Sequence, residues 1–199
     1  MTDDLYERQR RYYHLRAREY DLGAWQPATE DQATDVAHVI EVISALPPAR
    51  TLDVACGTGL LSQHLRGELT LLDASADMLA RAARRVPEAE VIEGDALPLP
   101  FSDAAFERVF SSHFYDHLRP EDRRRFLAEA ARVAAELIVV QQSEAATHRE
   151  GEERRALQDG STHRIYKVYF TPESLLAELG SGRLLYRGPA LMVACRGER

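Results

Sequence analysis

The chain contains no asparagine and one lysine, Lys167, so 24 of its 25 basic residues are arginine. It has two cysteines, Cys56 and Cys195. Two thiols cannot build a disulfide framework, and neither sits at a metal-ligand spacing. Positive charge is also short: 32 Asp and Glu against 25 Lys and Arg leave a net charge of -7. This balance argues against sequence-independent nucleic-acid binding, which rests on clustered cations neutralising phosphates. No apolar run approaches the ~18 residues that cross a bilayer. The polar start Met1-Thr2-Asp3-Asp4 lacks the apolar stretch of a signal peptide. A soluble, reducing, cytoplasmic setting without a membrane partner is expected. What remains is 199 residues, 45% hydrophobic, enough for one domain with a real core. No repeat, low-complexity tract or linker divides it.

Residues 5–22 are rich in Arg and Tyr, and Tyr6, Tyr13 and Tyr20 recur every seven residues, which predicts a helix with one aromatic stripe. Residues 29–46 predict a second helix, capped by Thr29 with Gln32, whose apolar face is Ala33, Val36, Ala37, Ile40, Ile43 and Leu46. Pro47-Pro48 ends it. Strand-like runs follow at 50–55, 69–73, 90–93, 106–112 and 136–140. Between them lie helical stretches at 60–65, at 76–85 with Ser75 as cap, and at 120–133 with proline in the first turn. Strands alternating with helices every ~20–30 residues indicate a parallel sheet covered by helices. After Gln141 the pattern loosens. Residues 144–159 are charged with helical character, 163–170 alternate as a strand or extended lid, and 172–179 form a short helix. Residues 183–186 and 191–196 suit a closing antiparallel pair.

The run Asp53-Val54-Ala55-Cys56-Gly57-Thr58-Gly59 turns a strand end into a helix start. Two glycines alone describe an ordinary strand–helix turn. The other strand ends add to them. Asp73 ends the next strand, where a carboxylate can accept from a ribose diol. Asp95 ends the third, followed by Ala96-Leu97, and Ser111-Ser112-His113 ends the fourth. In a doubly wound sheet these carboxyl ends line one crevice, where ligands bind. Leu60-Leu61 stands where a phosphate-binding loop needs lysine. A dinucleotide fingerprint lacks its outer glycines, with Ala55 at the first position and Leu61 near the last. Asp53 beside the ligand suits a cationic group better than a pyrophosphate.

Four motifs, at residues 52–61 (LDVACGTGLL), 71–82 (LLDASADMLARA), 92–101 (IEGDALPLPF) and 109–118 (VFSSHFYDHL), resemble in order and content those of class I S-adenosylmethionine-dependent methyltransferases of the small single-domain type. Residues 12–21 (YYHLRAREYD) resemble the lid helix that opens many such enzymes. The resemblance implies S-adenosylmethionine as cofactor and one Rossmann-like α/β domain. Its sheet would be doubly wound and seven-stranded, mostly parallel with an antiparallel last strand. Residues 1–46 would form the helical lid and first helix, 50–143 the cofactor-binding core, and 144–199 the substrate side and final strands. It also implies that Asp53, Ala55, Gly57 and Gly59 hold the methionine end, with Cys56 as the motif's small residue. Asp73 would take the ribose hydroxyls, Ala74 and Met78 line the adenine, Asp95 accept from its amino group, and Ala96 supply a backbone donor. Ser111 and His113 would sit beside the methionine portion and the methyl group, and Tyr20 would be the lid aromatic. One departure is Val133-Ala134-Ala135-Glu136 in place of the usual Pro-Gly-Gly before the fifth strand.

Methyl transfer from a sulfonium needs alignment and dry surroundings, and a base only when the acceptor holds its proton tightly. His113 and Tyr115 are the candidates to orient or deprotonate an acceptor; His113 reads equally as a wall of the cofactor pocket, and His117 as a packing residue. Tyr12, Tyr13, Tyr20 and Trp25 could form an aromatic lid or pack a helix on the sheet. Tyr166, Tyr169 and Phe170 carry the same two readings, and 150–155 reads as a solvated charged face. The Asn/Asp-Pro-Pro-aromatic motif of nucleobase N-methylating relatives is replaced by Ser-Ser-His-Phe. A small-molecule acceptor is therefore expected. The alternatives are a non-catalytic S-adenosylmethionine-binding partner protein, a methyltransferase acting on protein or RNA, and, more weakly, a nicotinamide-dependent oxidoreductase.

Overall fold

The computed structural model describes residues 3–17, 20–23, 30–143 and 148–197. Strand β1 (Thr51–Val54) is buried along its whole length, as a central parallel strand covered on both faces must be. It pairs in parallel with β2 (Leu69–Asp73) on one side and β4 (Arg108–Ser112) on the other. β3 (Glu90–Glu93) lies beyond β2, and β5 (Glu136–Gln142) beyond β4, both parallel. β9 (Leu191–Arg196) runs antiparallel to β5, and β8 (Arg183–Arg187) closes the edge against it. The seven-stranded order β3-β2-β1-β4-β5-β9-β8 has β9 as its one reversed strand, which is the Rossmann-like sheet expected. The strand order reverses between β1 and β4, so a crevice opens at their carboxyl ends.

Helices cover both faces. α3 (Glu30–Ser44) and α4 (Ala76–Arg85) bury Val39, Ile43, Ala82 and Val86 against one. α5 (Pro120–Val133) and α6 (Pro172–Leu179) bury Phe126, Val133, Leu175 and Leu179 against the other. The caps follow from side chains: Ser75 Oγ accepts from the Met78 amide, and Thr171 and Ser174 close a capping box on α6. Without Pro-Gly-Gly, α5 passes into β5 through Ala134-Ala135, with Ala134 extended.

Several expectations change. The Tyr-rich segment is not one helix: α1 spans Asp3–Arg16 and α2 spans Tyr20–Gly23. On α3 the buried positions are Asp35, Val39 and Ile43, while Ala33 and Ala37 face solvent. Asp35 shifts the face because its carboxylate accepts from the Tyr186 hydroxyl and the amides of Ala190 and Leu191. The stretch 60–65 contains a single 3₁₀ turn, Ser62–His64. The helical reading of 144–159 fails where it is described, because β6 (Arg149–Ala156) pairs antiparallel with β7 (Thr162–Tyr169) in a separate hairpin. β7 buries Ile165 to Val168 toward α1 and the turn after β4, whereas β6 is mostly exposed. Thr29 and Trp25 lie outside the described residues.

Candidate functional site

The glycine turn needs its glycines. Gly57 and Gly59 have φ of 58° and 72°, in the left-handed region that a Cβ resists. A Cβ on Gly59 would also stand 3.3 Å from the Ala82 backbone, so the turn lets α4 pack close. Ala55 has φ 58° and His113 φ 51° without that excuse. Such strain at the ends of β1 and β4 persists only where surrounding structure imposes it, and it concentrates at functional sites.

Two carboxylates meet at this turn. Asp73 Oδ2 accepts from the Gly57 amide at 2.8 Å, and Oδ1 from the Ser75 amide at 2.9 Å. Asp53 Oδ2 accepts from Ser62 at 2.6 Å, but its Oδ1 is buried without a hydrogen-bond partner. Burial raises the Asp53 pKa, Ser62 opposes this, and the charge of Asp73 adds to it, placing it at about 7. A buried, unpaired carboxylate oxygen is costly and suits a cationic group. The residues present therefore fit the amino-acid end of S-adenosylmethionine, whose ammonium could be answered by Asp53.

A cavity of about 740 Å³ opens beside the turn. Ala55, Asp73, Ala74, Gly94, Asp95, Ala96 and Leu97 form its floor, and Tyr6, Gln9, Arg10, Tyr13 and His14 of α1 its roof. Phe114, Leu118, Asp122 and Arg125 close the far wall. Arg10 pairs with Asp95 at 2.8 Å across the mouth. A second, much smaller cavity of about 20 Å³ lies under Tyr20, among Asp53, Ala55, Cys56, Thr58 and Ser112. That volume holds about one water. Tyr20 thus stands over the glycine turn, 3.9 Å from where a Gly57 Cβ would be. Asp21 latches it there through Thr58 Oγ1 at 2.6 Å and Arg85 at 2.7 Å.

The expected site residues divide. Ala55, Asp73, Ala74, Asp95 and Ala96 line the large cavity, and Tyr20, Asp53, Ala55 and Cys56 the small one. Met78 is buried on α4, its amide engaged in the Ser75 cap. Ser111 donates to the Val54 carbonyl at 3.0 Å and ties β4 to β1; its neighbour Ser112 faces the small cavity. Tyr115 is displaced from the candidate catalytic position. Its ring is fully buried, stacked on Phe170, and its hydroxyl donates to Glu178 at 2.7 Å. Phe170 is fully buried with it, and Tyr166 donates to Glu150. His117 packs as expected, and His113 sits beside a buried Asp116 that the motif reading passed over. The N-terminal helix expected as a lid supplies the α1 roof; Gln9 and Arg10, which join Tyr6 and Tyr13 on its pocket face at helical spacing, were not among the expected residues. Among the described residues no group of three His, Cys, Asp or Glu is placed to hold a metal. No described helix is long and apolar enough to cross a membrane.

A family model described as a methyltransferase domain matches residues 51–136. Demethylmenaquinone methyltransferase of Thermotoga maritima is 38% identical over 100 residues, covering 48% of this chain and 43% of that protein. The same enzyme of Renibacterium salmoninarum is 37% identical over 98 residues, covering 48% and 40%. The match thus spans less than half the length of these curated relatives. Over nearly its whole length the chain resembles a solved DhpI–SAM–HEP complex, with a TM-score of 0.84, 27% identity, and 98% and 99% of the two chains covered. Residues 51–136 thus match a methyltransferase domain, and nearly the whole chain shares its fold with a protein solved with SAM bound.

Proposed function

We propose that the chain moves the methyl group of S-adenosylmethionine to an O, N or C nucleophile of a small-molecule acceptor by in-line displacement. The observation that carries this is the unpartnered, buried Oδ1 of Asp53 beside the glycine turn. The cofactor supplies an already activated methyl on a sulfonium. The chain's part is to bind, align and exclude water. Asp53 takes the ammonium, and the backbone of residues 55–59 lets the methionine end come close. Asp73 is held by two backbone amides and has lone pairs left for the ribose hydroxyls. Ala74, Asp95 and Ala96 face the adenine. Residues 50–143 form the cofactor core, and α1 with the β6–β7 hairpin forms the acceptor side. A small acceptor is supported by the α1 roof and the Arg10–Asp95 pair, which narrow access to the crevice. The test is calorimetry with S-adenosylhomocysteine and with NAD. The first is expected to bind and the second not. Asp73→Ala is expected to weaken S-adenosylhomocysteine by roughly 10²–10⁴-fold, two charge-assisted bonds being lost. Unchanged affinity would mean the ribose lies elsewhere.

A further inference from the structure

β7 lays one cation against the turn that follows β4. Lys167, the chain's only lysine, is 5% exposed and pairs with Oδ2 of Asp116, which is 1% exposed. The same Oδ2 lies 3.9 Å from His113 Nδ1. The other oxygen, Oδ1, has no hydrogen-bond partner and faces His117 Nε2 at 3.6 Å. His117 does not supply a balancing charge. Its Nδ1 donates to the Tyr166 carbonyl at 2.7 Å, since a carbonyl only accepts, and its Nε2 then accepts from the Tyr13 hydroxyl at 2.6 Å. Burial and Lys167 push its pKa down to about 4, against the pull of Asp116, so it is a neutral ring fixed in one tautomer. Lys167 is therefore the buried cation that answers Asp116.

Resting on the methyl-transfer reading above, we propose that Lys167 is a positioning residue that acts through Asp116. It fixes the aim and charge of His113, the group that accepts the proton of the methyl acceptor. The acceptor class served is one whose nucleophile still carries a proton at neutral pH, such as an alcohol, a phenol or an amide. In the step, the acceptor's proton passes to His113 Nε2 as the bond from acceptor to methyl forms and the bond from methyl to sulfur breaks. The sulfonium charge is discharged, and the imidazolium later returns its proton to water.

The surroundings agree. Burial lowers the His113 pKa, Asp116 raises it, and Lys167 and Arg16 lower it again, leaving a neutral ring at pH 7. The titratable and charged groups around the pair are Asp116 and His117 on the same turn, Lys167 on β7, Arg16 and Tyr13 on α1, and Tyr20 on α2. The choice of lysine has a steric basis. An ammonium is a compact point charge, whereas a guanidinium is a flat fork that needs several acceptors. A chain that uses arginine at every other basic position departs from that habit here.

The test is NMR of protein labelled in the histidine rings, with and without S-adenosylhomocysteine, the His113 signals being assigned by their loss in His113→Gln. In the unsubstituted chain the Nδ1-protonated tautomer is expected, with a titration midpoint below 6.5. Lys167→Met is expected to raise that midpoint and Asp116→Asn to lower it, each by about one pH unit. Asp116→Asn/Lys167→Met removes both charges and is expected to return it close to the starting value. An Nε2-protonated ring in the unsubstituted chain, or single variants that do not shift in opposite directions, overturns the proposal. The tautomer is read in the unsubstituted chain, so a Lys167 or Asp116 variant that fails to fold does not shield the idea. Failure of S-adenosylhomocysteine to bind would instead sink the methyl-transfer reading, while the NMR result would still decide whether Lys167 and Asp116 set the tautomer and charge of His113.

Discussion

Asp53 carries a destabilisation that one conservative substitution should release. Its pKa is raised from 3.8 to about 7 by burial first, against the Ser62 bond and with help from the charge of Asp73. In the unfolded chain it ionises near 3.8. Between those values the folded chain holds a proton that the unfolded chain has lost. Stability therefore falls as pH rises through this window, and the loss is complete above about 7. At about 1.4 kcal/mol per pH unit the full loss is about 4 kcal/mol, of which roughly a third has accrued by pH 5. Asp53→Asn stays neutral throughout. It should stabilise the cofactor-free protein by about 4 kcal/mol at pH 8 and by roughly a third of that at pH 5. The difference between the two gains is free of packing changes, which do not depend on pH. Urea unfolding of both proteins at the two pH values measures it. Equal gains at both, or a loss at pH 8, would refute the reasoning. The same variant removes the anion proposed for the cofactor ammonium, so S-adenosylhomocysteine should bind more weakly as the protein becomes more stable.

Two further outcomes are expected. Asp35→Ala leaves the amides of Ala190 and Leu191 and the Tyr186 hydroxyl without their acceptor, which should cost about 2–5 kcal/mol in urea unfolding with little change in S-adenosylhomocysteine affinity. Asp21→Ala cuts the latch to Thr58 and Arg85 and should speed both association and dissociation of S-adenosylhomocysteine in stopped flow.

The sheet was legible because its strands are short buried runs bounded by turn residues, and because Ser75, Pro120 and Pro172 mark helix starts at the positions observed. The crevice was legible from acids and glycines at successive strand ends. The hairpin was not. Its burial rests on four consecutive residues of β7, Ile165 to Val168, while β6 is mostly exposed, so no period of two marks the pair. Side-chain direction was the other gap. Ser111 and Ser112 are adjacent on β4 and point to opposite faces, so a motif cannot tell which one meets the crevice. Tyr115 sits in a 3₁₀ turn that swings its ring into the core between Phe126 and Phe170, a consequence of local geometry with no signature in spacing. The polar nest around Asp116 joins α1, β7 and the turn after β4, which are far apart in sequence, and no local pattern brings them together.

That nest also decides which part of the N-terminal segment can move. α1 is pinned to the body by Gln9, which accepts from the Tyr166 amide at 2.7 Å and donates to the His117 carbonyl at 3.3 Å. It is pinned again by Tyr6, which donates to Asp122 at 2.6 Å and accepts from the Arg119 amide at 3.1 Å. Leu5 and Tyr12 are buried beneath it. Lifting α1 would expose two large side chains at roughly 1.5–3 kcal/mol each. It would also unmake two buried side chain–backbone bonds of Gln9, at roughly 1–3 kcal/mol for each group left unsatisfied. The sum is on the order of the whole stability of a domain. α2 is held differently. Its latch is the pair of Asp21 with Arg85, 31% and 25% exposed, and the bond to Thr58, and Arg16 lies 5.0 Å over the Tyr20 ring. Such pairs are worth about 0–1 kcal/mol each. A ligand at the glycine turn can therefore displace Tyr20 while the α1 roof of the large cavity stays in place. Asp21→Ala should therefore change the rates of cofactor exchange far more than the equilibrium affinity for S-adenosylhomocysteine.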